Sequence, residues 1–325
     1  MQLLKSYWWL LLLIALVIVC AIVFIPGNFR NYKPPPPYIK GYEWNMPDTN
    51  RIPATAAGDL IRYGKELVVN TAIYLGPKGK LGAMSNGMNC QNCHLDAGSR
   101  LWGNNFSGVF ANYPKFKQRS GSIESIYNKI NDCFERSLNG KSLDTNSREM
   151  QAIYAYIKWL GENVPRNIKP GGSGIADIPF INRPADSSLG KIVYIQKCQR
   201  CHALDGAGTY NMDSTAYQYP PLWGPHSYNT GASLYRLGRF AGYVKYNMPF
   251  DSKEEATKLR LEEAWNVAAF VNSQPRPSKK FPGDWPDIST KPFDHPFGPY
   301  SDGFNEMQHK YGAFGPIAKA KKKKH

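Results

Sequence analysis

The sequence Cys-x-x-Cys-His occurs twice, at Cys90-Gln91-Asn92-Cys93-His94 and at Cys198-Gln199-Arg200-Cys201-His202. It is the attachment signal for c-type haem, in which both thiols bond to the macrocycle and the histidine ligates the iron. Disulfides or a zinc site are the competing uses of such thiols. Zinc needs four ligands closing on one metal, and nothing pairs the two halves in that way. Two copies, each following a short helical pattern, therefore predict two covalently attached haem c groups, with Cys90, Cys93, Cys198 and Cys201 as attachment points and His94 and His202 as iron ligands. Only Cys20 and Cys133 remain of the six cysteines.

A repeated order surrounds the two motifs. Gly58 to Leu75 carries apolar residues at helical spacing and closes at Gly76-Pro77, a glycine-rich loop delivers the first motif, and Ser122 to Leu138 reads as a helix carrying Cys133. Met150, Ile153, Tyr154, Ile157 and Leu160 then form a three-four repeat stopped by Gly161 and Pro165. In the second half, Ser187 to Gln196 leads into the second motif, Ala203 to Asn229 is turn-rich, and Lys253 to Asn272 ends the unit. The fold class predicted is mostly α, with two tandem class I cytochrome c-like domains and long ordered loops. The predicted boundaries are 55–165 for the first domain, 166–281 for the second and 282–325 for an extended C-terminal segment with a Lys-rich, solvated and mobile tail.

The N-terminus sets the expected compartment. Tyr7 to Ile25 is an apolar run of about nineteen residues, near the length of one membrane span, with no convincing cleavage site. Residues 1–27 are expected as an N-terminal transmembrane helix anchored in the bacterial inner membrane, with 28–54 a Pro-rich spacer and the body on the periplasmic side. Cys20 reads as a lipid-facing thiol, since Val19 is too bulky for a lipoprotein acceptor. The net charge of +15 points to an anionic partner. No zinc finger, helix-turn-helix or aromatic RNA-binding signature accompanies it, so nucleic acid is not the expected one.

The sixth position on each iron separates carrier from enzyme. In the second domain Met248, in Asn247-Met248-Pro249, is the best candidate, ahead of Lys245, Met212 and the loop residue His226. Thioether ligation favours ferrous iron. The first domain has no equivalent methionine, because Met150 lies inside the apolar repeat. Cys133 is therefore the expected ligand opposite His94, against the bland alternative of a core thiol. Lys129 and Arg136 lie four before and three after it, Ser137 four after, and Lys115, Lys117 and Arg119 follow Tyr113-Pro114. On a helix these residues describe an electropositive hollow that lowers the thiol's pKa and attracts a dianion.

The stretch Ile130-Asn131-Asp132-Cys133-Phe134-Glu135-Arg136-Ser137-Leu138-Asn139-Gly140, then Ser147-Arg148-Glu149-Met150, Trp159-Leu160 and Asp294-His295-Pro296-Phe297-Gly298-Pro299-Tyr300, resembles the dihaem cytochrome c thiosulfate dehydrogenases, also called tetrathionate reductases. The resemblance implies a His/Cys-ligated catalytic haem, a His/Met-ligated electron-transfer haem and substrate contacts at Arg119, Lys129 and Ser137. Two departures stand out: Lys129 where arginine is usual, and Asn247 where some members place lysine before the methionine. The implied reaction joins two thiosulfates into tetrathionate or the reverse, with Cys133 capturing sulfur and Arg119, Lys129 and Arg136 holding sulfonates. Electrons would pass to or from an electron-carrier cytochrome or a quinone-linked oxidase or reductase. A plain membrane-tethered dihaem electron shuttle, or a subunit that conjugates thiosulfate to a protein cysteine, are the rival readings.

Overall fold

The structure is a computed structural model that describes residues 42–252 and 258–322. The expected anchor at 1–27, Cys20 and the first part of the spacer lie outside the described residues. Among the described residues no helix is long and apolar enough to cross a membrane. Helices of seven residues or more are numbered α1 to α7.

In the first domain α1 (Ala56–Val69) is started by the Thr55 side chain, which accepts from Gly58 N at 3.3 Å, and α2 (Ile126–Asp132) by a reciprocal Ser125–Asn128 capping box. α3 (Arg148–Gly161) begins at Ser147, which caps Met150 N. Met150, Ile153, Ile157 and Leu160 of its apolar repeat are buried as expected, whereas Tyr154 is only partly buried and Tyr156 joins the core face instead. α1 crosses α3 so closely that a Cβ added at Gly64 would lie 1.9 Å from the Ala152 carbonyl oxygen. Glycine is required there by space.

The second domain repeats this crossing. α4 (Ser187–Lys197) is capped by Asp186, and α6 (Leu261–Ser273) packs across it. A Cβ at Gly190 would meet the Asn266 carbonyl oxygen at 1.9 Å. α5 (Leu237–Asn247) packs on α6 and was not foreseen, because its Gly238-Arg239 and Gly242 interruptions mask the apolar face of Leu237, Phe240, Ala241 and Val244. The terminal helix, expected from Lys253, is seen from Leu261; residues 253–257 lie outside the described residues.

Three further expectations change. Ser122 to Leu138 is not one helix: β2 (Ser122–Glu124) pairs antiparallel with β1 (Lys115–Lys117), and α2 passes into a π-turn over Cys133–Ser137. The pairing takes Ser122 to Glu124 into a hairpin before the capping box can start a helix. Residues 42–54, expected within the spacer, lie on the first domain: Trp44 is buried and its indole N–H donates to Leu160 O at 2.9 Å. The tail is neither extended to its end nor fully solvated. α7 (Phe314–Lys322) is anchored by buried Phe314 and Ile317, which seat it against Phe293 and Trp265 and carry the lysines with it.

Candidate active site

The first motif follows Asn89, whose side chain caps Ala72 N at 2.8 Å, while Cys90 N donates to Thr71 Oγ at 3.0 Å. His94 is buried and its Nδ1 sits 2.6 Å from the Asn104 carbonyl. His202 repeats this with Pro220 O at 2.9 Å. In each case the carbonyl takes the Nδ1 proton and leaves Nε2 as the free electron pair, the tautomer an iron ligand needs. Burial pushes His94 down to about 3, with Lys129 adding to it and the Asn104 hydrogen bond opposing. Burial likewise lowers His202.

Cys90, Cys93, His94, Lys129, Cys133 and Ser137 line one cavity, whose remaining walls are mostly apolar, among them Val68, Phe106, Ile153 and Ile157. Thus the thiol proposed as sixth ligand shares a cavity with the proximal histidine. Cys198, Cys201, His202 and Met248 line a second cavity of about 550 Å³, within the range of small-molecule sites. Both cavities offer the thiol, imidazole and sulfur donors that haem c requires. The second also has the room, whereas the first measures about 40 Å³, so its walls must part to admit a macrocycle. Beside the second cavity, Arg276 stacks on Tyr228, and its Nε and one terminal nitrogen are buried with no acceptor. Its other terminal nitrogen donates to Val271 O at 2.6 Å, and the two unpartnered nitrogens fit a group that brings its own carboxylates, as haem does.

Among the competing ligands for the second iron, Met212 is fully exposed and His226 is exposed on a loop, where its carbonyl accepts from Asn86. Neither lines the cavity, and Lys245 does not either.

Arg136 does not join the Cys133 cavity. The bond from Leu138 N to Cys133 O (3.0 Å) closes an i to i+5 turn. Widening the turn keeps the i+4 residue, Ser137, on the cavity face and rotates the i+3 residue away. Arg136 is buried instead against Phe281, bonded to Asp132 and held bidentately by Asp284 at 2.7 and 2.7 Å. A guanidinium so neutralised is structural, which corrects the expectation that it holds substrate. Arg119 is intermediate: it pairs with Asp132 at 3.1 Å and reaches Ser233 Oγ at 3.2 Å.

Lys117, named in the sequence only as part of a cluster, takes the place Arg136 loses. It is half-buried over the Tyr113 ring, and among the described residues Lys115, Lys117 and Lys129 form no ion pair. Burial, then Lys129 and Lys115, push Lys117 down to about 8. The signal that could have found it was the β-hairpin, which returns this segment to the cavity mouth. Burial also raises the Cys133 thiol, outweighing Lys129, Arg119 and Lys117, so the basic surroundings alone do not make it a thiolate, contrary to expectation. Iron ligation would supply the deprotonation, since a bound thiol is ionised.

The two cavities adjoin. Asn92, Cys93, Leu95 and Asp96 of the first attachment segment line the second cavity, and Tyr243 O–H donates to Asn92 O at 3.3 Å.

Two tandem haem-attachment units, each with a histidine and a sulfur donor lining one cavity, define a dihaem c-type cytochrome. Residues 82–165 match the cytochrome c domain family described as SoxA/TsdA, and residues 187–275 match cytochrome c. The chain is 36% identical over 243 residues to the thiosulfate dehydrogenase of Psychrobacter arcticus, covering 74% of this chain and 71% of the relative. It is 35% identical over 236 residues to that of Allochromatium vinosum, covering 71% and 84%. A solved structure of thiosulfate dehydrogenase TsdBA from Marichromatium purpuratum superposes with a TM-score of 0.67 at 27% identity, over 72% of this chain and 50% of that one, so this chain spans half of its length. The chain belongs to the thiosulfate dehydrogenase family and carries two covalently attached haem c groups.

Proposed function

We propose that the protein is a thiosulfate dehydrogenase that joins two thiosulfates into tetrathionate at Cys133 and that the same steps run backward reduce tetrathionate. The observation that carries this reading is the shared cavity of Cys133, His94, Lys129 and Ser137, with Lys117 near enough for its charge to act on the thiol. Family membership supports it.

His94 and Cys133 would hold the first haem, His202 and Met248 the second. When bound, each haem accepts one electron, which together account for the two electrons released. The Cys133 thiolate and the outer sulfur of one thiosulfate form an S–S bond, giving Cys–S–S–SO₃⁻ and two electrons. A second thiosulfate attacks the sulfur attached to Cys133, the bond to Sγ breaks, and tetrathionate leaves with the thiolate restored. Lys117, Lys129 and Arg119 offset the repulsion between the two dianions, and Ser137 donates to a sulfonate oxygen. Met248 would hold the second haem through a thioether, which would favour its reduced state, and the Asn92–Tyr243 contact joins the two attachment segments along the way electrons would take.

The apolar run from Tyr7 to Ile25 supports a body tethered at the periplasmic face of the inner membrane, and an electron-carrier cytochrome or a quinone-linked oxidase or reductase would complete the circuit. The test is turnover by the purified holoprotein with thiosulfate and an artificial acceptor, reading tetrathionate. Cys133→Ala should lose at least about a thousandfold in rate. Full turnover by this variant, or haem reduction by other donors with no tetrathionate formed, would leave only an electron shuttle.

A further inference from the structure

Between residues 230–236 and the C-terminal segment lies a cavity of about 570 Å³ that shares no lining residue with either haem-attachment cavity. Arg119, Arg236, Lys279, Lys280 and Lys291 line it against a single carboxylate, Asp284. That carboxylate is already spent on Arg136, Arg119 is paired with Asp132, and Arg236 is neutralised from behind by Asp294 at 2.5 Å. Three lysine charges remain uncompensated.

Two of the three ammonium groups donate only to backbone carbonyls among the described residues, Lys291 to those of Phe297 and Pro299 at 2.9 and 3.0 Å and Lys279 to that of Gly140 at 3.1 Å, with Glu135 farther off. Each also lies over an aromatic ring, Tyr300 for Lys291 and Phe281 for Lys279. An ammonium has three hydrogens, so each keeps one to donate. Lys291 is only 7% exposed, and a charge so buried without a counter-ion is costly. Trp285, another lining residue, has its indole N–H buried with no acceptor. Its backbone N–H is bonded to Arg119 O at 2.6 Å, which ties this wall to the residue beside the Cys133 site. Burial and Lys291, with Arg236 and Arg119 adding, hold His295 down to about 4, so this ring contributes no charge of its own near neutral pH. Donors thus outnumber acceptors here, and the one lining carboxylate, Asp284, is already held by Arg136.

We propose that this cavity is a second anion site, taking a small divalent oxyanion of the sulfate type, and that Arg119 links it to Cys133. The ammonium groups and the indole N–H meet the anion's oxygens, and Arg119, which lines this cavity and whose charge acts on the Cys133 thiol next door, has N–H groups to spare beyond Asp132 and Ser233. On the reading of the reaction given above, on which this last step rests, the cavity holds the second thiosulfate before it attacks.

The experiment is a calorimetric titration of the oxidised, full-length holoprotein with sodium sulfate at constant ionic strength, so that no turnover is involved. Wild type should show sulfate binding that Trp285→Phe weakens roughly tenfold and Lys280→Gln several-fold, while Lys191→Gln, exposed on α4 and outside every cavity described, leaves it unchanged. Trp285→Phe removes an N–H that has no protein partner, so haem absorption and melting temperature should hold. No sulfate binding, binding equal in wild type and both cavity variants, or binding weakened as far by Lys191→Gln would each overturn the proposal. Loss of thiosulfate turnover as an activity would sink the reaction and leave this sulfate site standing, so the two failures are told apart.

Discussion

Both domains press an N-terminal helix against a C-terminal one through a glycine, Gly64 on Ala152 and Gly190 on Asn266, and both hold the histidine's Nδ1 on a backbone carbonyl. They differ opposite the histidine. The second domain offers Met248 at the end of a regular helix, in a roomy cavity lined by aromatic and apolar side chains. The first offers Cys133 at the start of a π-turn, in a narrow cavity edged by lysines. A thioether is a neutral, lasting ligand suited to carrying electrons, whereas a thiol on a widened turn beside cations can also act as a nucleophile. On the proposed function, one scaffold would serve two tasks through a change in one ligand and its neighbours.

The largest effect should come from exchanging the roles. Cys133→Met ought to keep both haems and lose thiosulfate turnover by about a thousandfold or more, whereas Met248→Cys should shift the second haem's spectrum and potential with a far smaller loss of turnover. Comparable losses in the two variants would dissolve the distinction. Arg136→Gln comes next. It leaves Asp132 and Asp284 without their partner and should destabilise the fold by about 2–4 kcal/mol, discounted because Asp132 is partly exposed. Denaturant unfolding measures this, and a KM effect with no stability loss would return Arg136 to the site.

Gly64→Ala and Gly190→Ala should each cost about 1–3 kcal/mol, since backbone must move at both crossings. A melting curve with similar losses supports the equivalence of the two crossings. Lys117→Gln should lower kcat/KM for thiosulfate roughly tenfold without changing the melting temperature. The smallest effect is a pH dependence. Lys117 sits near 8 and loses its charge as pH rises, so KM for thiosulfate should rise several-fold from about pH 7 to about pH 9. The Lys117→Gln variant should lack that rise.

How far the site could be read in advance depended on whether the evidence was local. The thiols and histidines of the two motifs could be named, and Met248 and Cys133 proposed beside them, because ligand chemistry restricts residue type and the chain holds few candidates, and each sulfur shares a cavity with its histidine. The fate of Arg136 was not, since the expectation assumed an α-helix and the chain closes an i to i+5 turn at Cys133. α5 was missed because its glycines break the apolar period, and its existence depends on packing against α6. Likewise the lysines of α7 were read as solvated, which holds for Lys319 and Lys322, but the helix that carries them was missed because the Phe314 and Ile317 anchors matter only once their pocket exists.

By itself the sequence determined two haem attachments, a mostly helical body in two repeats and a cysteine without a structural excuse, since each follows from covalent chemistry or short-range periodicity. Only the tertiary structure decided which charges are spent and which are free. Asp284 lies 148 positions from Arg136, and no pattern along the chain shows that the two will neutralise one another. Electrostatics acts through space, so the cations left to meet an anion, Lys117 and Lys129 at Cys133 and the lysines of the cavity beyond Arg119, become known only after the others have found their partners.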